Sequence, residues 1–268
     1  QFNVTGLGYS PEGQIVGKDR QASTEDPNLR QFLAVVSLCN NARLIPPDDE
    51  SPNWTILGDP TEAALLVLAR KGGLDPEEEA RRTPRLRELP FESGRKRMST
   101  IHQIVASNTG KEHVAYVKGA PKEILELCAA IRQNGRDQPL GDDVRAEIME
   151  ANDRYARNGL RVLAVALRRL PKEANLPSSL RAYTPELIER DLTFLGMVAM
   201  ADPPRPEVAE AVEKCKRAGI RIIMITGDYG LTAESIARRI GIVGNARPRI
   251  ITGVELRQMR QSDLEEAL

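Results

Sequence analysis

The 268-residue chain balances 38 Lys and Arg against 38 Asp and Glu, which removes any electrostatic bias toward polyanions and argues against nucleic acid as a partner. Its length allows a substantial core and predicts two domains. No apolar run reaches membrane-spanning length and no signal-peptide pattern occurs. Cys39, Cys128 and Cys215, scattered and odd in number, read as reduced thiols on apolar helical faces in a cytosolic setting.

After an irregular start containing YSPEG (9–13), Leu29, Phe32, Leu33 and Val36 recur at helical spacing and predict a helix over 29–39. A polar, Pro-rich loop follows at 46–53. In LGDPTEAALLVLARKGG (57–73), Asp59 is a natural N-cap, Pro60 takes the first helical position, and Gly72 and Gly73 end the helix. Glu62, three residues after Asp59, completes a capping-box pattern. A charged helix over 76–82 leads to strand patterning with a Ser93-Gly94 turn. Residues 98–105 and 114–118 then pair as a hairpin across 107–110, with His102 and His113 expected on its solvent face. Pro121 starts a helix expected to run through Ile131, a longer one covers 142–158 and stops at Gly159, and LRVLAVAL (160–167) returns as a strand. These elements describe an α+β domain with an antiparallel sheet and helices packed to one side. Residues 171–185 form a polar, Pro-containing excursion.

The apolar run LTFLGMVAMA (192–201) suits a buried strand that stops at Asp202. Pro206 then starts a helix carrying Val208, Val212, Cys215 and Ala218 at helical spacing, ended by Gly219, and a second buried strand is expected over 220–225. Strand, crossover helix and strand predict parallel neighbours, with Asp202 and Asp228 at carboxyl ends, where open α/β sheets form ligand crevices. Thr226, Gly227 and Asp228 precede a further helix over 231–240, and a last helical segment contains Leu264 and Leu268. Thr226 to Asp228 either meet a phosphoryl group with Mg²⁺ held near the carboxylates, or form an ordinary capped strand-to-helix turn.

Upstream, several residues have two readings each. Phe91 is either hairpin packing or a ring for stacking on a purine. Lys96, between Arg95 and Arg97, is a solvated strand charge or helps hold a nucleotide. Lys118 stands before Gly119, Ala120 and Pro121, either as a strand-end lysine or as an ammonium beside a glycine that permits close approach of an anion. Arg161 opens a strand, where its guanidinium reaches a phosphate or pairs with an acid. No Walker A, GxGxxG or kinase signature occurs.

Taken in order, GDPTE (58–62), PFESGRKRMS (90–99), YVKGAP (116–121), GLRVLAVA (159–166), DPPR (202–205) and MITGD (224–228) resemble the cytosolic portion of P-type cation-transporting ATPases of the calcium-pump-like subgroup. The resemblance runs through nearly the whole chain. It implies a nucleotide-binding domain over 1–200 and part of a Rossmann-like, haloacid-dehalogenase-type phosphorylation domain over 201–268. It implies ATP or ADP as ligand, with Phe91 stacked on adenine, Glu62, Lys96 and Lys118 lining the pocket, Gly119 close by, and Arg161 on the phosphates. Thr226, Gly227 and Asp228 would meet the transferred phosphoryl group, and Asp202 and Arg205 would form the hinge. Calcium pumps commonly carry an arginine two places after the stacking Phe, whereas this chain has Ser93, so that contact is not carried over.

The family transfers a phosphoryl group to the Asp of DKTGT, and neither that sequence nor the second Mg²⁺ motif, TGDGVND, occurs here. The chain is therefore expected to be an excised cytoplasmic piece of a longer pump. The parent would couple ATP hydrolysis, with Mg²⁺, to movement of a cation, Ca²⁺ first, across a membrane. The remaining domains of that pump would be its partners. The piece itself is expected to bind nucleotide without phosphoryl transfer and to hold no complete metal site. A soluble phosphatase of the haloacid-dehalogenase superfamily is the alternative, and it too needs an early nucleophilic Asp.

Overall fold

The computed structural model describes residues 1–17, 26–106, 110–171, 177, 179–244 and 248–267. Most of the connection expected at 107–110, part of the excursion at 171–185 and Leu268 lie outside the described residues. The chain separates into two compact units, one of residues 1–149 and 163–198, the other of 150–162 and 199–268.

In the first unit, short antiparallel ribbons pair β1 (Asn3–Val4) with β2 (Ile15–Val16), and β3 (Arg43–Ile45) with β4 (Thr55–Leu57). The helices α1 (Pro27–Leu38), α2 (Pro60–Lys71) and α3 (Pro76–Arg82) share one sequence device, an Asp-Pro start. Asp26 accepts from the N–H groups of Asn28 and Leu29 at 2.8 and 3.3 Å, Asp59 from Thr61 and Glu62 at 2.8 and 3.0 Å, and Asp75 from Glu77 and Glu78 at 2.8 and 3.2 Å. Each cap satisfies first-turn donors that the helix leaves open and is worth about 1 kcal/mol, while the proline's fixed φ suits the next position.

The centre of this unit is a seven-stranded sheet in the order β5-β6-β7-β10-β11-β8-β9. Its strands are β5 (Arg85–Glu92), β6 (Arg97–Ala106), β7 (Gly110–Gly119), β8 (Cys128–Gln133), β9 (Arg136–Pro139), β10 (Leu160–Arg169) and β11 (Leu192–Ala201), the last two running into the second unit. The pairs β5–β6, β6–β7, β7–β10 and β8–β9 are antiparallel, whereas β11 and β8 run parallel. The sheet is thus mixed rather than purely antiparallel. Helices α4 (Pro121–Leu125), α5 (Asp142–Arg157) and α6 (Pro185–Ile188) complete the unit, α5 continuing beyond it.

Alternation along the strands sets what each face meets. Met98 and Lys118 are cross-strand partners on one face, Ser99 and Val117 on the other. Lys118 reaches Glu62 of α2. Val117 packs instead with Ile124 and Leu125 of α4 and with Ala166, Leu192 and Phe194, and Val144 and Ile148 of α5 lie against this cluster. Helices therefore cover both faces, not the one side that sequence reasoning expected.

The helix expected through Ile131 ends at Leu125, because Cys128 enters β8 and pairs with Leu192 of β11. Sheet pairing overrides the local helical spacing here. His102 is 1 % exposed rather than on a solvent face. Its two ring nitrogens find the Thr83 carbonyl and the Thr100 hydroxyl, which makes burial tolerable.

In the second unit, α7 (Glu207–Arg217), α8 (Gly230–Arg239) and α10 (Gln261–Ala267) form where the sequence predicts helices, at 206–218, 231–240 and in the last segment, and α9 (Gly253–Gln258) is a further helix that the sequence reading does not include. Thr252 and Glu255 close a reciprocal capping box at α9. The Thr232 hydroxyl of α8 donates to the Leu160 carbonyl at 3.0 Å, and the Tyr229 hydroxyl to Asp153 at 3.1 Å. Val212, Ala237 and Ile240 are buried. The strand expected over 220–225 belongs to no ladder, and Ile220, Ile223 and Ile225 are 56, 56 and 93 % exposed. A strand needs a neighbour for its N–H and C=O groups. Among the described residues no strand pairs with this segment.

Candidate functional site

In the first unit, the register gathers residues at one end of β5, β6 and β7. Glu92 faces Arg97, Arg97 faces Gly119, and Met98 faces Lys118. Phe91, one position from Glu92, is 63 % exposed. Of its two sequence readings, buried hairpin packing does not apply.

The Lys118 ammonium donates to Glu62 at 2.6 Å, with side chains only 7 and 14 % exposed. Asp59 caps α2, but Glu62 does not complete the box. Its second carboxylate oxygen accepts from the Asn41 N–H at 2.9 Å instead. Around this pair the Asn41 amide donates to Glu88 at 2.9 Å, and the Arg85 guanidinium donates to Asn41 and to the carbonyls of Leu38 and Asn40. Arg85 thereby satisfies carbonyls that α1 leaves open at its C-terminal end. Cys39, beneath this layer, is wholly buried; burial pushes its thiol pKa up, opposed by the nearby Lys118 charge.

Lys96 lies in the turn between β5 and β6 with φ of 50°, the left-handed region, and its ammonium donates to Glu123 of α4 at 2.7 Å. Its side chain is 55 % exposed. Gly119 has no room for a side chain. A Cβ there would lie 2.5 Å from the Lys96 carbonyl oxygen and 2.6 Å from the Arg97 Cβ. The close approach is that of β6.

Sequence reasoning missed Glu189, whose carboxylate is 1 % exposed yet accepts from Arg95, Arg97 and Ser99 at 2.5, 2.6 and 2.6 Å. The signal that could have found it was the Arg95–Lys96–Arg97 run, which needs a counter-charge wherever its arginines are buried.

The second unit holds the remaining candidates. Arg161 pairs with Asp228, Nη2 at 2.8 Å and Nε at 3.0 Å from one carboxylate oxygen. The Thr226 hydroxyl donates to the other oxygen at 3.2 Å and accepts from the Asp228 N–H at 3.0 Å. The α8 N-cap is Tyr229, without a side-chain capping bond, so Asp228 is committed to Arg161 rather than to a helix cap. A Cβ at Gly227 would meet nothing within 4 Å, leaving that backbone open. Asp202 and Arg205 are exposed in the irregular link between β11 and α7. Among the described residues no group of three or more His, Cys, Asp and Glu side chains is arranged to hold a metal ion, and no helix is long and apolar enough to cross a membrane.

The sequence that builds this mixed sheet and its flanking helices matches, over residues 28–207, the family model described as P-type ATPase, cytoplasmic domain N. The chain belongs to the P-type ATPases. It is 34 % identical over 273 residues to a probable cation-transporting ATPase F of Mycobacterium bovis, and 34 % identical over 268 residues to a calcium-transporting ATPase of Bacillus subtilis, covering 100 % of this chain in both cases. It is 35 % identical over 303 residues, again covering 100 % of the chain, to an endoplasmic reticulum calcium ATPase of Aspergillus fumigatus. The chain spans 28, 28 and 30 % of the length of these relatives.

Proposed function

We propose that this chain is the ATP-binding cytoplasmic part of a cation-transporting ATPase and that the end of β5 to β7 receives the nucleotide. The observation that carries the reading is Phe91, an exposed ring at the strand end where Lys96, Lys118 and Glu62 also gather. A flat apolar ring suits an adenine face, and the lysines at the same strand ends suit polar edges and phosphates. Burial of the Lys118–Glu62 pair presents both groups in fixed positions, so binding loses little side-chain freedom. In the second unit, Arg161 reaches the nucleotide's phosphates, Thr226, Gly227 and Asp228 meet the transferred phosphoryl group, and Asp202 and Arg205 form the hinge between the nucleotide-binding domain, 1–200, and the partial phosphorylation domain, 201–268. The order of β11, α7 and α8, with the apolar run 220–225 between the two helices, supports a Rossmann-like, haloacid-dehalogenase-type reading of that second domain. Mg²⁺ enters with the nucleotide, whose phosphate charge it neutralises.

The parent protein, in this reading, couples ATP hydrolysis through an aspartyl-phosphate to cation transport at a membrane whose cytoplasmic face carries this chain. Calcium is the ion, supported by the printed names of the Bacillus and Aspergillus relatives. The sequence contains no DKTGT nucleophile, so these residues bind ATP or ADP and do not themselves accept the phosphoryl group. A stand-alone phosphatase finds no support among the relatives, whose names are those of cation-transporting ATPases. The test is an ATP titration followed by amide NMR. Signals of Glu62, Phe91 and Lys118 should shift saturably, and no change at any of them would overturn the assignment.

A further inference from the structure

Glu189 is a buried carboxylate in the short segment between α6 and β11, and burial of such a group is costly unless every oxygen is matched by a donor. Here the matching donors all come from the β5–β6 turn and the strand that follows it. Arg95 Nη1 and the Ser99 hydroxyl donate to one carboxylate oxygen, Arg97 Nε to the other. Other groups of the same arginines bind the turn itself. Arg95 Nη2 donates to the Pro90 carbonyl at 2.7 Å and Nε to the Glu92 carboxylate at 3.0 Å, so one guanidinium grips the residues on both sides of Phe91. Arg97 Nη1 donates to the Arg95 carbonyl at 3.0 Å, so the backbone on both sides of Lys96 is tied as well. Lys96 needs that restraint, because its left-handed φ of 50° is unfavourable for a residue with a Cβ.

We propose that Glu189 is a positioning residue for nucleotide binding, holding Phe91 and Lys96 in place through Arg95 and Arg97. This rests on the nucleotide site proposed above. Glu189 itself does not face the ligand; it is the fixed counter-charge on which the Arg95–Arg97 clamp closes. Removing its charge leaves two guanidinium groups competing for a neutral amide, and the turn that displays the ring and the ammonium loses its anchor.

The test is a double-mutant cycle read by calorimetric titration with ATP, using the full chain as wild type, Glu189→Gln, Lys96→Ala and the combination. Coupling between residues joined through one network predicts that Glu189→Gln weakens ATP about tenfold in the wild-type background and about threefold or less when Lys96 is already gone. A general structural role would give the same factor in both backgrounds, and that result would overturn the inference. If Glu189→Gln fails to fold, Arg95→Lys takes its place in the same cycle. It keeps the charge but cannot span Pro90, Glu92 and Glu189 together, and the same non-additivity is expected. Failure of the wild-type chain to bind ATP would instead remove the site itself, whereas wild-type binding with additive variants would remove only the role of Glu189.

Discussion

Substituting His102 by Gln tests the buried polar layer on the sheet face that also carries Lys118. The Thr83 carbonyl can only accept, so Nδ1 carries the proton and donates to it at 3.0 Å, and Nε2 accepts from the Thr100 hydroxyl at 2.9 Å. That arrangement requires a neutral ring. Burial, reinforced by the nearby Arg85 charge and opposed by the Thr83 hydrogen bond, holds the pKa down at about 4, against the ordinary value of 6.5. Between these values the unfolded chain binds more protons than the folded one, so the stabilising contribution is complete above pH 6.5 and is lost as pH falls toward 4. The loss is about 2 kcal/mol at pH 5 and about 3 kcal/mol below pH 4. Urea unfolding at pH 7.5 and pH 5, followed by the single tryptophan, Trp54, in the same unit, reads it directly. Any cost of His102→Gln common to both pH values cancels in the difference between them. The wild type should lose about 2 kcal/mol more than the variant on acidification, and equal losses would refute the argument.

Gly119→Ala should destabilise the first unit by about 1–3 kcal/mol, the usual cost of forcing atoms into a filled space, because the new methyl meets the Lys96 carbonyl and Arg97; an unchanged urea midpoint would contradict the packing. Among the cysteines, Cys39 and Cys128 should resist thiol reagents in the native state at pH 8. Both are buried, and burial raises each thiol pKa, that of Cys128 to about 12. Only Cys215, part exposed on α7, should be modified quickly. Rapid labelling of Cys39 under folding conditions would show that the layer over Lys118 opens.

Much of this was legible in the sequence where the cause is local. Asp59 and Pro60 announce α2 because cap and first turn are adjacent in the chain, and the β6–β7 hairpin follows from alternation. Glu62 was half legible for the same reason. Its spacing from Asp59 suggests a capping box, whereas its carboxylate goes to Lys118, 56 residues away, and no local pattern carries that distance. Cys128 was misread because helical spacing continues past Leu125 while the decisive contact, β11, lies more than sixty residues downstream. Residues 220–225 have the composition of a buried strand but no neighbour to pair with among the described residues. At the candidate site the resemblance named Phe91, Lys96 and Lys118, and Glu189 stayed hidden because its arginine partners lie across the fold.

The central claim is that ATP binds where Phe91 is exposed. Calorimetric titration of ATP into the wild-type chain and into Phe91→Ala measures it most directly, since a ring that is 63 % exposed contributes little to the folded core. Loss of one stacked base is worth about 1–3 kcal/mol, or roughly 5- to 150-fold in affinity. The account predicts saturable binding by the wild type and a loss in that range for Phe91→Ala, with the unfolding midpoint unchanged. Equal affinity in the two proteins, or no saturable binding by the wild type, would contradict it.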